Sequence, residues 1–353
     1  MTIMGPHDVD AAVALTTRAL GEVAHLDWSR PADGLEWSCY DTVVHVASDF
    51  NAYAAQLTAR ATDAYVPFEI SAEPGTTPEG LIQVVEATGG LLSAAVHAAR
   101  QDDRAWHPYG AAGADGFAAM GILETLLHTH DVLRGLGTTG WEPSAALCAG
   151  VLARLFPHAP LGHAPWETLL WATGRGELPG LPRLAVWRWY ADPVSAEGLT
   201  LCELSPRVAA ELHAGGTGGF VWAEDGPADG TRSAAGMVAK AFEEGTYRPG
   251  WGAYAIVRAA DRRAIGGMGF HTAPDADGAA EIGYDVVPSA RGKGHATAAL
   301  RALADWAFAQ PGTTRLTATV DEDNAPSHGV VTRAGFTPTG PKEGSMGYVL
   351  RAR

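Results

Sequence analysis

The hydrophobic pattern of this chain changes its period near the middle, so one fold class cannot account for all 353 residues. The first half carries apolar residues at three- and four-residue spacing between Pro/Gly breaks, as amphipathic helices do. That pattern ends in TGRGELPGLP, and from about Gly198 short β-rich runs alternate with helical segments. We therefore expect two domains, 1–183 and 198–353, joined by a linker at 184–197.

The two halves predict different architectures. Long antiparallel helices with short connections indicate an up-down bundle in the first half, and the mixed order of strands and helices indicates an α/β or α+β domain in the second. The predicted helices are 8–26, 38–60, 78–103, 116–136, 144–156, 231–244, 292–309 and 325–334. The predicted strands are Leu199–Leu204, Trp251–Arg258, Ala264–His271, Glu281–Val287, Arg315–Val320 and Met346–Arg351.

The formal net charge of −15 is unevenly distributed. Residues 1–183 hold 9 Arg, no Lys and 21 acids, which leaves −12, whereas the 16 bases and 19 acids of the remainder leave −3. A field of this sign argues against nucleic acid and anionic membranes as partners. It does not exclude a local cationic patch that holds a phosphorylated cofactor.

The composition is that of a cytoplasmic protein. No uninterrupted apolar run approaches the ~18 residues of a membrane span, and the N-terminus lacks the features of a secretory signal. The three cysteines, Cys39, Cys148 and Cys202, are widely separated and form no metal-binding pair.

The most specific segment is AEIGYDVVPSARGKGHATAALRALADWAF, residues 280–308. A β-like run ends at Val287, and the turn RGKGHA follows directly before an amphipathic helix. Glycines expose backbone N–H groups, the helix N-terminus adds partial positive charge, and Arg291 and Lys293 add full charges, so the segment favours an anion. A lone GxG turn is equally compatible with an ordinary strand–turn–helix connection.

This segment resembles motif A of the GNAT acyltransferases, whose R/Q-x-x-G-x-G/A loop binds the pyrophosphate of acetyl-CoA. Arg291, Gly294 and Ala296 match that loop. The resemblance covers about residues 198–353 and implies an α/β fold with a mixed, splayed central sheet.

A second motif, DEDNAPSH at 321–328 followed by Gly335-Phe336, is similar to the N-x-x-S…GF signature of one GNAT branch. That branch acts on ribosomal-protein N-termini and on many small amines. The resemblance implies direct acetyl transfer from acetyl-CoA to a small-molecule amine, while strand 284–287 pairs by its backbone with the pantetheine arm. The implied cofactor-binding residues are Val286, Val287, Arg291, Gly292, Lys293, Gly294, His295, Ala296 and Asn324.

Such a transfer needs a base for the ammonium and a donor for the departing thiolate. Glu281 is our first candidate base, because related enzymes place a carboxylate or an ordered water on this strand; it can equally be a solvated acid. His271, at the end of the preceding strand, is the second candidate. Many family members carry a Tyr where this chain has Val331, so the resemblance gives the donor role to Ser327. Asn324 would hold the cofactor or the strand edge.

The first half contains candidate metal ligands. Glu124 and His128 lie four apart, and therefore on one face of one helix. With His45 from another helix they would form a facial triad that suits Zn²⁺, or Ni²⁺ or Fe²⁺. A His and a Glu at this spacing are also common on helices that bind no metal. Asp49 and Asp131 are placed to support the ligands.

The surrounding residues resemble the DinB-like domain of mycothiol-dependent maleylpyruvate isomerases over about residues 8–183. The resemblance implies a four-helix bundle, a metal held by the residues that match His45, Glu124 and His128, and chemistry on a low-molecular-weight thiol. Arg134 and Arg175 could hold a carboxylate, although a place on the bundle surface is our preferred interpretation. The residues that carry the resemblance are Trp37-Ser38, His45, Glu124, His128, Asp131 and WETLLWATGR at 166–175.

These features together predict an acetyl-CoA-dependent N-acetyltransferase fused to a metal-binding bundle that catalyses a linked thiol-dependent step. Two alternatives remain open. One is a metal- and thiol-dependent isomerase or S-transferase with a non-catalytic CoA-binding module. The other is a non-enzymatic protein that sequesters ligands. The sequence leaves the oligomeric state open.

Overall fold

A computed structural model describes residues 4–352 and separates into two compact units. The segment 184–197, expected to be a linker, is divided between them, and the sequence-based domain limits stay a prediction. The first unit consists of the chain up to Phe156, His163–Arg183 and Trp189–Asp192, and the second of Pro157–Gly162, Leu184–Arg188 and the chain from Pro193 onward.

Four long helices of the first unit pack as a bundle, which confirms the predicted fold class. Ser38 begins one of them, and its side-chain oxygen accepts the backbone N–H of Asp41 at 3.0 Å, as a helix cap does. The helices of this unit are α1 (Pro6–Glu22), α2 (Cys39–Ala59), α3 (Pro78–Ala98), α4 (Ala114–Gly135), α5 (Ala145–Leu155) and α6 (Pro165–Ala172).

Helix α4 is the central helix of the bundle. It contacts α1, α2, α3 and α5, and its residues are buried along almost its whole length. This burial fixes the positions of the two candidate ligands that α4 carries.

By length and composition alone, α3 could span a membrane, since its mean hydropathy is 1.3. Core helices of bundles pass the same test. Here α3 packs against α1 and α2, with Leu81, Val85 and Leu92 buried, and this packing accounts for its apolar composition.

An eight-stranded mixed sheet forms the centre of the second unit, which confirms the predicted sheet class. The strand order is β1-β2-β3-β4-β5-β6-β8-β7, and only β5 and β6 pair in parallel. The strands are β1 (Val194–Ala196), β2 (Leu199–Glu203), β3 (Ala253–Arg258), β4 (Ala264–Phe270), β5 (Ala279–Val286), β6 (Arg315–Asp321), β7 (Thr337–Lys342) and β8 (Ser345–Arg351).

Helices cover this sheet. Helix α9 packs across β1, β2, β4 and β5, α8 packs on β3–β5, and α10 packs on α9 and β6. Leu300 and Leu303 of α9 are fully buried with Ile282 and Leu316 of the sheet. The helices of this unit are α7 (Pro206–His213), α8 (Asp229–Glu243), α9 (His295–Ala309) and α10 (Ala325–Arg333).

Four short elements were not predicted: α6, α7, β1 and β7. Strand β7 has the sequence TPTGPK, whose prolines and glycine disfavour a strand. It forms because it lies at the sheet edge, where a proline that donates no hydrogen bond is tolerated.

Two adjacent glycines of α3 give a matched test of bundle packing. A Cβ on Gly89 would overlap Cγ2 of Val13 and lie 3.3 Å from its Cγ1, whereas a Cβ on Gly90 would meet no atom within 4 Å. We expect Gly89→Ala to lower the free energy of unfolding by about 1–3 kcal/mol through overpacking. Gly90→Ala should raise it by about 0.5–1 kcal/mol, because alanine favours the helix. Denaturant unfolding, followed by far-UV circular dichroism, measures both free energies. A change of the same sign in the two variants would contradict the close packing of Gly89 against α1.

Candidate functional site

A wide cleft opens in the second unit where two neighbouring strands part. Strand β5 pairs with β6 only at Ala279, Ala280 and Glu281, although it stays paired with β4 as far as Val286. The cleft has a volume of about 680 Å³ and is lined by β5, the turn before α9, and α10.

Backbone alternation decides which groups of β5 face this wide cleft. The Glu281 carbonyl accepts the His271 N–H at 3.0 Å, and the Val287 N–H donates to the Ile265 carbonyl at 2.9 Å. Odd-numbered residues of β5 therefore bond to β4, and even-numbered ones, including Val286, turn their backbone groups toward the open edge. Val287, predicted to bind cofactor, donates its N–H to β4 and has a buried side chain, so its proposed contact with a cofactor stays a prediction.

The turn before α9 has the geometry of an anion cradle. Gly292 and Gly294 have φ of +73° and +81°, a left-handed conformation that glycine adopts without strain. Helix α9 then begins at His295 and presents its N-terminus to the cleft. The buried Thr297 hydroxyl lines the same cleft and has no hydrogen-bond partner among the described residues. The cradle therefore fits a phosphate group.

The two predicted cations of the turn behave differently. Arg291 lines the cleft, and its Nε donates to the Val286 carbonyl at 2.8 Å. The Lys293 ammonium donates to the Ser289 carbonyl at 2.9 Å, and Lys293 is not among the residues that line the cleft; its role with a cofactor stays a prediction. Arg333, in the last turn of α10, lines the cleft and was missed, since no motif marks it.

Ser327 and Asn324 lie together at the start of α10. The Asn324 side-chain oxygen accepts the Ser327 N–H at 3.2 Å, so Asn324 caps the helix and positions Ser327 on the cleft wall. The Tyr284 hydroxyl donates to the Ser327 carbonyl at 3.2 Å. Tyr284 was missed as a site residue, although it lies in the quoted EIGY segment. Val331 is fully buried in the core.

Glu281 and His271 lie side by side on neighbouring strands and so form one pair of candidates. His271 Nδ1 lies 3.5 Å from Glu281 Oε2, and Glu281 Oε1 accepts the Thr319 hydroxyl at 2.8 Å. A Cβ on Gly283 would come within 3.3 Å of His271 Nε2, so the glycine leaves this nitrogen uncovered.

Two smaller clefts adjoin His271. The Gly267 cleft, about 250 Å³, lies between α8 and β4–β5, and the Trp251 cleft, about 240 Å³, lies beside it. Both are lined by Met237, Phe270 and His271, while Glu281 lines neither of them nor the wide cleft.

Residues of β5 connect the Gly267 cleft to the wide cleft. Tyr284 and Asp285 line both. A ligand in one cleft can therefore meet a ligand in the other at this point of β5, close to His271.

The candidate metal ligands come together in the first unit. Donor atoms of His45, Glu124 and His128 all lie within 4.8 Å of one another. The set of two imidazoles and one carboxylate suits Zn²⁺ and leaves open coordination positions. Nε2 of His128 lies 3.1 Å from Oε2 of Glu124.

Carboxylates support both histidines, as the spacing predicts. Asp49 Oδ2 lies 3.2 Å from His45 Nε2, and Asp131 Oδ2 lies 3.1 Å from His128 Nδ1. The Arg175 guanidinium donates to both oxygens of Asp131, at 2.9 and 2.7 Å. Arg175 is thus largely buried and holds an internal carboxylate, which corrects its predicted place on the surface. Arg134 instead pairs with the exposed Asp33.

The charges of this cluster depend on one another. Burial lowers the pKa of His45 and raises that of Asp49 well above its ordinary range. Burial alone would also lower the pKa of His128, but the carboxylates of Asp131 and Glu124 raise it to about 9. A metal ion at His128 Nε2 must therefore displace a proton.

Two family models match this chain. Residues 209–337 match the acetyltransferase (GNAT) domain, and residues 9–133 match the mycothiol maleylpyruvate isomerase N-terminal domain. The chain therefore combines one domain of each kind, as the resemblances implied.

Individual relatives match about a quarter of this chain. An uncharacterized N-acetyltransferase of Bacillus subtilis, YjdG, is 33% identical over 87 residues, which is 25% of this chain and 52% of the relative. The chain spans about half the length of the curated relatives it matches.

Two solved structures are similar to a little under half of this chain. A GNAT acetyltransferase from Bacillus anthracis covers 45% of this chain and 98% of its own, at 16% identity and a TM-score of 0.34. The microcin C7 self immunity acetyltransferase MccE was solved with acetyl-CoA and AMP. Its match covers 44% of this chain and 93% of the MccE chain, at 18% identity and a TM-score of 0.33.

Metal analysis tests the ligand cluster. We expect the purified protein to hold one divalent ion per chain, and the His45→Ala/His128→Ala double variant to lose it. His130→Ala is the matched control, because His130 contacts Trp166 and lies outside the cluster. Trp37 lies 4.8 Å from the His45 ring, so Co²⁺ should quench tryptophan fluorescence in the control but not in the double variant. A stoichiometric ion retained by the double variant would contradict the assignment.

Proposed function

Since residues 209–337 form a GNAT acetyltransferase domain, we propose that the protein acetylates the amine of a small molecule with acetyl-CoA as the donor. The observation that supports this most directly is the meeting of two clefts at Tyr284 and Asp285. One cleft has an anion cradle at its end, and the other contains an uncovered histidine nitrogen.

The wide cleft would hold acetyl-CoA. The Gly292–Gly294 turn, the α9 N-terminus and the Thr297 hydroxyl would bind its pyrophosphate, with Arg291 and Arg333 supplying charge. The open edge of β5 would pair with the amides of the pantetheine arm. Because Arg291 already occupies the Val286 carbonyl, the Val286 N–H is the group that remains for the arm.

Acetyl-CoA supplies a thioester carbonyl; as the amine nitrogen bonds to that carbon, the carbon–sulfur bond breaks and CoA thiolate leaves. His271 would accept the proton from the incoming ammonium through Nε2, because His271 lines both small clefts and Gly283 leaves this nitrogen uncovered. Glu281 would act through His271, because the Glu281 carboxylate lies beside Nδ1 of His271 and accepts a hydrogen bond from the Thr319 hydroxyl. This assignment makes His271 the base and Glu281 a positioning residue, the reverse of the sequence-based order.

The departing thiolate would take its proton through the Ser327 hydroxyl, which would regain one from the attacking nitrogen as that nitrogen becomes an amide. The Ser327 hydroxyl lines the cleft, and Asn324 fixes its position through the helix cap. Tyr284 supports the same group by donating to the Ser327 carbonyl.

For the bundle we propose one bound divalent ion, with Zn²⁺ as the first candidate, and a linked reaction of a small thiol. The clustering of three donors supports the ion. A bound cation lowers the pKa of a coordinating thiol and so makes it a better nucleophile. Asp131 and Arg175 would keep His128 oriented toward the ion.

Release of CoA thiol separates this proposal from its alternatives. Release with small amines supports the acetyltransferase. CoA binding without release on a broad amine panel would favour a thiol-dependent isomerase or S-transferase, or a protein that only sequesters ligands.

The base assignment predicts a graded loss of activity. We expect His271→Ala to lower kcat/KM by about 100-fold or more, and Glu281→Gln by about tenfold, since it removes only the orienting charge. Added imidazole should restore part of the His271→Ala activity, because the lost side chain leaves space above Gly283. Glu244→Gln, an exposed glutamate of the same unit, is the control. A Glu281→Gln loss larger than that of His271→Ala would reverse the assignment.

The role of Ser327 predicts a separation of turnover from binding. Ser327→Ala should lower kcat by about tenfold or more, because the hydroxyl that stabilises the developing thiolate and relays its proton is lost. The Kd of acetyl-CoA, measured by calorimetry, should stay within about twofold, since the cradle of α9 is intact. Ser195→Ala, in the exposed part of β1, is the control. Unchanged turnover in folded Ser327→Ala protein would refute the role.

A further inference from the structure

The Trp251 cleft has an apolar, largely aromatic wall. The rings of Trp251 and Phe270 lie 4.7 Å apart, and Trp306 supports Trp251 from behind at 5.2 Å. Met237 closes the wall from α8 and is itself 45% exposed. An apolar or aromatic group of a ligand would be buried against this wall.

Hydrogen bonds to Glu203 hold the loop that carries Trp251. Glu203 of β2 accepts the Tyr247 hydroxyl at 2.9 Å and the Gly250 N–H at 2.6 Å. Both contacts lie within one loop, so Arg248 and Trp251 extend from a constrained backbone. Glu203 itself is occupied by these bonds and is not free to bind a ligand cation.

The charges at the two small clefts favour an anionic ligand group. Among the described lining residues, Arg248 is the fixed cation and Asp285 is the one carboxylate. Asp285 already accepts the Gly267 N–H at 2.9 Å and the Thr231 N–H at 2.8 Å, and it also accepts the Thr231 hydroxyl. Among the described lining residues, an acceptor with several ammonium groups would find no carboxylate without partners, whereas a carboxylate would find Arg248.

We infer that the acceptor is a free amino acid with an aromatic or large apolar side chain. Its amine would lie at His271, its side chain against Trp251 and Phe270, and its carboxylate at Arg248. The volume of about 240–250 Å³ in each cleft fits one small molecule and lies below the range of about 300–1,000 Å³ typical of drug-sized ligands. This inference rests on the proposed acetyl transfer for the reaction, but not for the binding.

Four amines test the inference with purified full-length protein: L-phenylalanine, L-phenylalaninamide, phenethylamine and spermidine. Thiol release from acetyl-CoA gives KM and kcat, and calorimetry in the presence of CoA gives Kd. We expect L-phenylalanine to have a Kd and a KM about tenfold or more below those of the amide and of phenethylamine, because only it can bind Arg248 through a charged pair. Spermidine should be the poorest acceptor.

A pair of arginine variants identifies the group responsible. Arg248→Gln should bring the ratio of Kd values for the amide and the acid from about ten to about one. Arg207→Gln, an exposed arginine of α7 that lines none of the three clefts, should keep the wild-type ratio. Circular dichroism confirms that both variants fold.

The outcomes separate the two proposals. Selective binding of L-phenylalanine that depends on Arg248, without thiol release, would support the acceptor class and contradict the acetyl transfer. Equal or tighter binding of the amide or of spermidine would overturn the acceptor class, whether or not thiol is released. Preference for a peptide with an N-terminal phenylalanine would also overturn it, in favour of a protein N-terminus.

Discussion

The second unit depends on one constraint: β5 is fully paired on one side and paired for only three residues on the other. Pairing with β4 keeps the strand rigid, while its departure from β6 frees the backbone of the even-numbered residues. The same departure opens the space into which α9 and α10 direct their first turns. Continued pairing beyond Glu281 would close the wide cleft and separate Ser327 from Tyr284, so the cleft and the placement of these two residues have a common origin.

The structure of the bundle depends on a different constraint, which is the burial of ionisable histidine and carboxylate side chains. Two His–carboxylate pairs at helical spacing, His45–Asp49 and Glu124–His128, face each other from α2 and α4. Burying such groups without compensation is costly, and Arg175 offsets part of this cost through Asp131. A divalent cation would offset more of it. The negative charge of the first half is therefore partly directed inward.

Periodicity and motif were enough to predict the bundle, most strands, the anion turn and the grouping of the metal ligands. Sequence reasoning is less informative where a side chain's direction depends on its neighbours. Val287 lies in the predicted strand but on the bonded edge, which only the register with β4 determines. Lys293 lies in the predicted turn, yet Ser289 binds its ammonium. Arg175 was assigned to the surface because its partner, Asp131, is distant in sequence. The Glu281–His271 pair likewise needs two strands in register, which no single segment encodes.

The open edge of β5 also has a meaning for the solubility of the chain. A strand with unpaired N–H and C=O groups is a template on which another chain can add, and proteins normally protect such edges with charged residues, prolines or a covering loop. On the stretch after Glu281, the Arg291 side chain protects the Val286 carbonyl and leaves the Val286 N–H facing the cleft. A backbone-like group that paired with this N–H would act as a neighbouring strand and complete the protection of the edge.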